Sequence, residues 1–578
     1  MKKLDLLIFL LVLFVVTACA PKKTLVEQQA TSSLKLHSII KDYESFDKDR
    51  PERSWRMYTD QEQEDRVAKL QDIKDQLDKV GNSGLSEMDV INKDVLKYIV
   101  DNNIQTAKIG LDLMPISSEG GFVTGIYFSV ANARLDSPES KDEYKKKLET
   151  LPDYIDWQMG KMKTGVSKGI TLPKLIIDKA LPLIKIHRDA TMVESAFYQP
   201  LAQLETQLED VEYDEAIRSI ISDKVIPAFA ELYDFLEQDY YLSARDEIGI
   251  SGITNGKSFY EQRVKYYTSL DITPEEVFAI GEKEVARIRK DMEGVIKELN
   301  FEGSFADFLK FLRTDPQFYA KTPKEILGVA SWLSKKIENE MPKYFGKLPR
   351  MPFTVKPVPA AIAPNYTAGR YSGGNYKTNR AGQYWVNTYA LDTRPLYALP
   401  ALTLHEAVPG HHHQMMLSQE IEGVPNFRRS NYLSAFGEGW GLYCEYLGIE
   451  IGMYDTPYDH FGRMTYEMWR ACRLVVDVGM HYKGWTRAEA IDFLASNTAL
   501  SMHEVNTEID RYIGWPGQAV SYKMGEIKIR ELRKKAEFAL GDNFNIREFH
   551  DRVLENGSVL MSTLEGIVDK YIADNQKP

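Results

Sequence analysis

Cysteine is nearly absent. Three residues in 578 are too few for a disulfide framework, so stability must come from a core and not from covalent staples. Basic runs are lacking as well: Lys plus Arg number 72 against 84 Asp plus Glu, a formal net charge of −12. That balance excludes the electrostatic footprint of a nucleic-acid binder. No repeat of fixed period recurs, which excludes a solenoid, and the apolar run from Leu4 to Val16 falls short of the roughly 20 residues a membrane span requires. Histidine is also scarce, at ten residues. Four of the ten nevertheless fall together, at His405, His411, His412 and His413.

What is present is a globular composition, 43 % hydrophobic and 27 % charged, on a chain long enough for a large core and more than one lobe. The three cysteines separate by context. Cys444 and Cys472 lie in apolar helical surroundings and read as buried thiols. Cys19 ends a segment with Lys2 and Lys3 at its start, an apolar stretch, then Val16-Thr17-Ala18-Cys19. That is the layout of a secretory signal, and its end resembles the bacterial lipobox. The expectation is cleavage before Cys19 and a lipid on its thiol, with an ordinary signal peptide or an uncleaved anchor as the alternatives. Ala20 after the cysteine points to the outer membrane, facing the periplasm. Residues 1–18 are then the signal, 19–50 a tether and first helix, and 51–578 a helical domain.

Segments near 60–80, 86–110 and 140–165 carry apolar residues at three- and four-residue spacing, the period of amphipathic helices. Thr273-Pro274 and Thr322-Pro323 each set an N-cap before a first-turn proline, and Thr486 with Glu489 forms a capping box. The fold class expected is mainly α. One stretch, 351–388, departs from it, with four prolines, then glycines, then the alternating Gln383 to Thr388. It reads as a small β-sheet just ahead of the histidines, able to offer a backbone edge to an extended peptide, or as a plain surface loop.

The chemistry concentrates in His405-Glu406-Ala407-Val408-Pro409-Gly410-His411-His412-His413. Zinc-peptidase helices place two His at i and i+4, about 6 Å apart along the axis, with the intervening Glu as base. Here Pro409 occupies the i+4 position. On an unbroken helix His411 points about 120° away from His405, and His412 lies roughly 10 Å further along. Pro409-Gly410 supplies an interruption. With those two residues looped out, His411 takes the place of the second ligand and is favoured over His412. The alternative is a run of packing histidines.

A zinc site of this kind needs a third protein ligand and an open position for water. Glu438 lies among small residues in an otherwise apolar helix and is the expected third ligand. Glu445 shares its face and is expected to orient a ligand histidine. A salt bridge to Arg470 or Arg473 is the competing explanation for both carboxylates.

Four motifs together, His405 to His412, Gly437-Glu438-Gly439-Trp440, Arg473 to His481 with Gly484-Trp485-Thr486, and Pro516-Gly517-Gln518-Ala519 with Ser521-Tyr522-Lys523, resemble the domain-of-unknown-function 885 family. That family is similar to the helical gluzincin peptidases, including angiotensin-converting enzyme, thimet oligopeptidase and carboxypeptidase Taq. Dipeptidyl peptidase III, with one residue inserted in the same motif, still binds zinc. The resemblance implies a two-lobed, mainly α, zincin-like fold around a deep channel. By likeness to angiotensin-converting enzyme it also implies that His503 and Tyr512 contact the scissile carbonyl, with His481 and Tyr522 in reserve. The function expected is a Zn²⁺-dependent peptidase acting on short peptides, with metal on His405, His411 and Glu438 and Glu406 as general base. An amidohydrolase acting on non-peptide or cell-wall amides, or a non-catalytic binding lipoprotein, is the alternative.

Overall fold

The computed structural model describes residues 25–48, 55–131, 133, 135–202, 211–360 and 362–576; the signal segment and Cys19 lie outside them. The chain is 71 % helical with one small three-stranded sheet, the mainly α class expected. Among the described residues no helix is long and apolar enough to cross a membrane.

Two compact units divide the chain. Among the described residues the smaller comprises 25–48, 59–104 and 424–426. Its helices Leu25–Lys48 and Asp60–Asp78 bury Leu36, Ile39 and Ile40 with Ile73 and Leu77. Asp89 there accepts hydrogen bonds from Ser33 and His37.

The larger unit holds the chemistry-bearing motifs. Its architecture rests on helices whose starts were legible: Thr273, Thr322 and Thr486 all cap as expected, each accepting from a backbone N–H three residues on. Helix α1 (Pro274–Glu298) buries Val277, Ile288, Met292 and Ile296. Gly281 lets it approach a later helix, because a Cβ there would lie 2.7 Å from the Leu474 Cβ. Strands β1 (Phe353–Pro357), β2 (Gly369–Ser372) and β3 (Gly382–Val386) form the sheet in the order β1-β3-β2. β1 runs parallel to β3, and β2 antiparallel, with Tyr371 opposite Tyr384. Burial alternates along β3, Tyr384 and Val386 inward, so a sheet, not a loop, occupies the region expected.

The site is then built by α2 (Leu399–Glu406), α3 (His411–Glu420), α4 (Ser434–Ile451), α5 (Pro457–Tyr482), α6 (Met502–Gly514) and α7 (Ser521–Leu540). α5 packs along α1, and its Leu474 and Val478 join Val277, Val520 and Met524 in one core. α4 packs along α7 through two facing glycines: a Cβ on Gly439 would lie 2.5 Å from the Gly525 carbonyl carbon.

Candidate metal centre

The helical run breaks where proline and glycine demand it. α2 ends at Glu406 and α3 begins at His411, with Ala407–Gly410 between them outside helical geometry. The loop is held in place: Trp440 Nε1 donates to the Pro409 carbonyl at 2.8 Å, and His412 N–H donates to the Ala407 carbonyl at 3.1 Å. Gly410 carries no side chain for a steric reason, since a Cβ would meet the His405 carbonyl oxygen at 1.9 Å.

This interruption brings His411 beside His405, with ring centroids 4.7 Å apart. His412 is turned elsewhere, its Nδ1 2.9 Å from the Tyr371 hydroxyl, and His413 Nε2 donates to the Lys347 carbonyl at 3.1 Å. Burial pushes His412 down to about 4 and His413 down to about 3, so both are neutral at pH 7.

α4 delivers the carboxylates. Glu438 Oε2 lies 3.4 Å from His405 Nε2 and 3.3 Å from His411 Nε2, and ligand atoms of the three residues fall within 4.8 Å of one another. A tetrahedral ion with bonds of about 2.0–2.1 Å separates its ligand atoms by about 3.3–3.4 Å. The other Glu438 oxygen, Oε1, accepts from the Tyr432 hydroxyl at 3.0 Å. Burial raises the pKa of Glu438, but the imidazoles of His411 and His405 outweigh it and hold the carboxyl well below its ordinary range.

Behind the triad, His405 Nδ1 meets Glu445 Oε1 at 2.8 Å, and Arg470 Nη2 sits 3.1 Å from the same oxygen. Burial lowers the pKa of His405, but hydrogen bonds to Glu438 and Glu445 outweigh it and raise it to about 9. Of the competing salt bridges, the one to Arg470 exists, and it engages Glu445 while leaving Glu438 with the two histidines. His411 Nδ1 is buried without a partner.

The spacing of the glycines in Gly437-Glu438-Gly439-Trp440-Gly441 now has a cause. A Cβ on Gly437 would meet the Tyr432 ring at 2.2 Å, and one on Gly441 would meet His405 Cε1 at 2.7 Å. The three glycines clear Tyr432, helix α7 and the His405 imidazole.

The triad opens on a cleft of about 270 Å³ whose walls include β2, α5, α6 and Tyr522 at the start of α7. Glu406 faces it, with Oε2 accepting the Tyr371 N–H at 2.7 Å. Tyr522 stacks near His405, ring centroids 6.4 Å apart.

Two expected partners for the scissile carbonyl are not at this cleft. His503, in the first turn of α6, is absent from its lining; five residues separate it from Glu508, which does line it, and five residues turn a helix by about 140°. Tyr512 is fully buried, and its hydroxyl accepts from Trp469 Nε1 at 2.7 Å and from Arg473 Nε at 2.6 Å. His481 is likewise spent, between the Ile250 N–H and the Tyr512 carbonyl. Of the four residues considered for this role, Tyr522 is the one in the cleft wall.

Sequence reasoning named Arg473 only as a salt-bridge partner and passed over the rest of the cleft's basic wall, Arg370 and Arg511. A signal existed in α5: Arg463, Glu467, Arg470, Arg473, Asp477 and His481 recur every three or four residues in a helix that is otherwise apolar, and all six are buried. Charges at such positions persist only with partners or a task.

The profile of a family described as "Bacterial protein of unknown function (DUF885)" matches residues 43–568. No curated protein matches the chain. A solved structure of a candidate lipoprotein from Colwellia psychrerythraea aligns with TM-score 0.85 and 26 % identity, over 95 % of this chain and 97 % of that one. Another, of a candidate lipoprotein of unknown function from Shewanella oneidensis, aligns with TM-score 0.70 and 16 % identity, over 94 % and 99 % of the two chains.

Proposed function

The chain belongs to the bacterial DUF885 family, and we propose that it is a zinc-dependent peptidase of gluzincin type that hydrolyses short peptides. The observation that carries this reading is the donor set: two imidazole nitrogens placed 3.4 Å and 3.3 Å from one carboxylate oxygen, the spacing of a tetrahedral site, beside a glutamate with no metal-ligand role. A protein that only bound metal would have no use for that glutamate.

His405, His411 and Glu438 hold the ion, and Glu445 fixes the His405 ring from behind. Zinc bound there supplies a Lewis acid and brings the pKa of a coordinated water toward 7. Glu406 keeps Oε2 on the Tyr371 N–H, which leaves Oε1 to take a proton from the attacking water and pass it to the leaving amine. The Tyr522 hydroxyl donates to the developing oxyanion, the role the family resemblance gave to His503 and Tyr512. β2 is the outer strand of its sheet, and Gly369, Arg370 and Tyr371 line the cleft, so an extended substrate adds to that edge.

The Val16-to-Cys19 pattern, together with structural relatives described as candidate lipoproteins, supports an envelope protein tethered by a lipid on Cys19. The outer membrane facing the periplasm is the proposed location.

The test pairs metal analysis with a peptide library. Purified wild type carries close to one zinc per chain and cleaves library peptides, read by mass spectrometry, whereas Glu406→Gln retains the zinc and loses cleavage. Full activity in Glu406→Gln defeats the mechanism. Zinc without cleavage by wild type favours an amidohydrolase or a binding role.

A further inference from the structure

The cleft holds more guanidinium than its carboxylates satisfy. Beyond Glu406 and the ligand Glu438, one acid lines it, Glu508, which is 1 % exposed. That carboxylate is shared, its Oε2 accepting from Arg473 Nη2 and from Arg511 Nη2, each at 3.0 Å. Burial pushes Glu508 up, but the two guanidiniums outweigh it and hold the carboxyl down at about 2.

Arg511 spends a further donor on the Gln518 side-chain oxygen at 3.0 Å. Arg473 does not exhaust its own: Nη1 has no partner, in a residue only 2 % exposed. A buried, unpaired donor on a charged group is costly unless something answers it. Arg370, on β2 and also in the cleft lining, has Glu119 at 3.7 Å and a side chain 44 % exposed. Arg470 is committed to Glu445.

The placement suits a substrate group near the reacting bond. The Tyr522 ring lies 6.4 Å from the His405 ring and 4.1 Å from Arg473 Cζ. These two contacts bound the gap between metal ligand and guanidinium at about three extended residues.

We propose that Arg473 and Arg370 seat the free C-terminal carboxylate of the substrate, which makes the protein an exopeptidase that removes a C-terminal amino acid or dipeptide. The inference rests on the peptidase reading. Guanidiniums match a carboxylate in charge and in hydrogen-bond geometry. Among the described residues that line the cleft, the one carboxylate other than Glu406 and Glu438 is already held by two arginines, so a substrate's amino terminus finds no comparable seat there. Hydrolysis adds one water across the bond: the acyl side gains the oxygen as a new carboxylate, and the released residue leaves with the proton on its amine.

An acidic side chain offers the same chemistry as a C-terminus, and the experiment separates them. Zinc-loaded wild type is given one pentapeptide with neutral side chains as free acid, its C-terminal amide, and an amide carrying Asp at the third position. The free acid is cleaved one or two residues from its end, and kcat/KM for the neutral amide falls at least 100-fold. Equal cleavage of acid and neutral amide overturns the proposal, and rescue by the Asp-bearing amide moves the seat to a side-chain carboxylate and overturns the C-terminal assignment.

If no peptide is cleaved, the peptidase reading fails, and binding still decides the seat. Calorimetric titration of Glu406→Gln with free acid and amide gives at least tenfold tighter binding of the acid, and equal binding overturns it. Arg370→Gln and Arg473→Gln each reduce that preference; a preference unchanged in both belongs to the metal and overturns the seat. Arg370→Gln provides the second variant should loss of Arg473, which also pairs Glu508, impair folding.

Discussion

His405 Nδ1 and Glu445 Oε1 stand 2.8 Å apart, both side chains almost wholly buried. The contact fixes which imidazole nitrogen faces Glu438, because a ring held at Nδ1 by Glu445 turns Nε2 toward that carboxylate. Arg470 Nη2 meets the same Glu445 oxygen at 3.1 Å, so one buried carboxylate holds both the imidazole and the guanidinium.

Replacing Glu445 with Gln keeps an acceptor for Nδ1 and removes the charge. Zinc affinity should fall about 10- to 100-fold, the usual cost of losing a carboxylate behind a ligand histidine. Competition with a chromophoric chelator measures it. An affinity equal to wild type would show that Glu445 serves only Arg470.

Gly441→Ala tests the clearance beneath the same imidazole. The added Cβ meets His405 Cε1 at 2.7 Å and Nε2 at 2.8 Å, so ring or helix must shift. Overpacking of this kind costs about 1–3 kcal/mol, and the displaced Nε2 should lower zinc content as well. Gly328→Ala is the matched control. It too is helical, with nothing within 4 Å of its Cβ, and should be neutral or stabilising by up to about 1 kcal/mol. Thermal unfolding of both variants, with metal content, reads the difference.

These residues also show how far the sequence could be read. Pro409-Gly410 announced a break whose physical meaning was local, so the replacement of His412 by His411 was legible from helix geometry alone. Glu438 and Glu445 were legible because carboxylates in an apolar helix need partners. The surroundings of His503 and Tyr512 were not, since both were named by likeness to another enzyme, and their orientation depends on how α6 rotates against α5. Tyr512 turns toward Trp469 and Arg473, a tertiary contact that no local pattern encodes. The basic wall was hidden for a similar reason: Arg473 and Arg511 look like ordinary helix charges until packing brings both to Glu508.

Stability should decline on mild acidification. Burial pushes His187 and His481 down to about 4 and His550 down to about 3, against about 6.5 in an unfolded chain. The unfolded state therefore binds more protons below pH 6.5. The contribution is complete above that value and is lost as pH falls toward 4, at about 1–2 kcal/mol per histidine by pH 5. Asp477, which burial raises to about 7, works the other way in the same window, as does His405, raised to about 9. His412 and His413 are pushed down as well, so the depressed histidines outnumber these two groups. Urea midpoints should be lower at pH 5 than at pH 7, and a flat or rising midpoint would contradict this balance.

Tyr522→Phe and Tyr512→Phe should fail in different ways. Tyr522 reaches the cleft wall, and its hydroxyl has one weak internal contact, with Gln518 Nε2 at 3.5 Å. Removing it should spare folding and KM and lower kcat by about 100-fold or more, the scale of a lost oxyanion donor. Tyr512 instead accepts from Trp469 and Arg473 in the interior. Its loss strands two buried donors at about 1–3 kcal/mol each, so the unfolding midpoint drops, and any fall in rate comes through the displaced Arg473. His503→Gln, away from the cleft, should leave kcat within about twofold, since it removes no group that touches the reacting atoms. Steady-state kinetics and urea unfolding on the three variants separate the roles. A kcat that collapses in His503→Gln while Tyr522→Phe stays active would return the electrophile to α6 and would require α6 to turn when substrate binds.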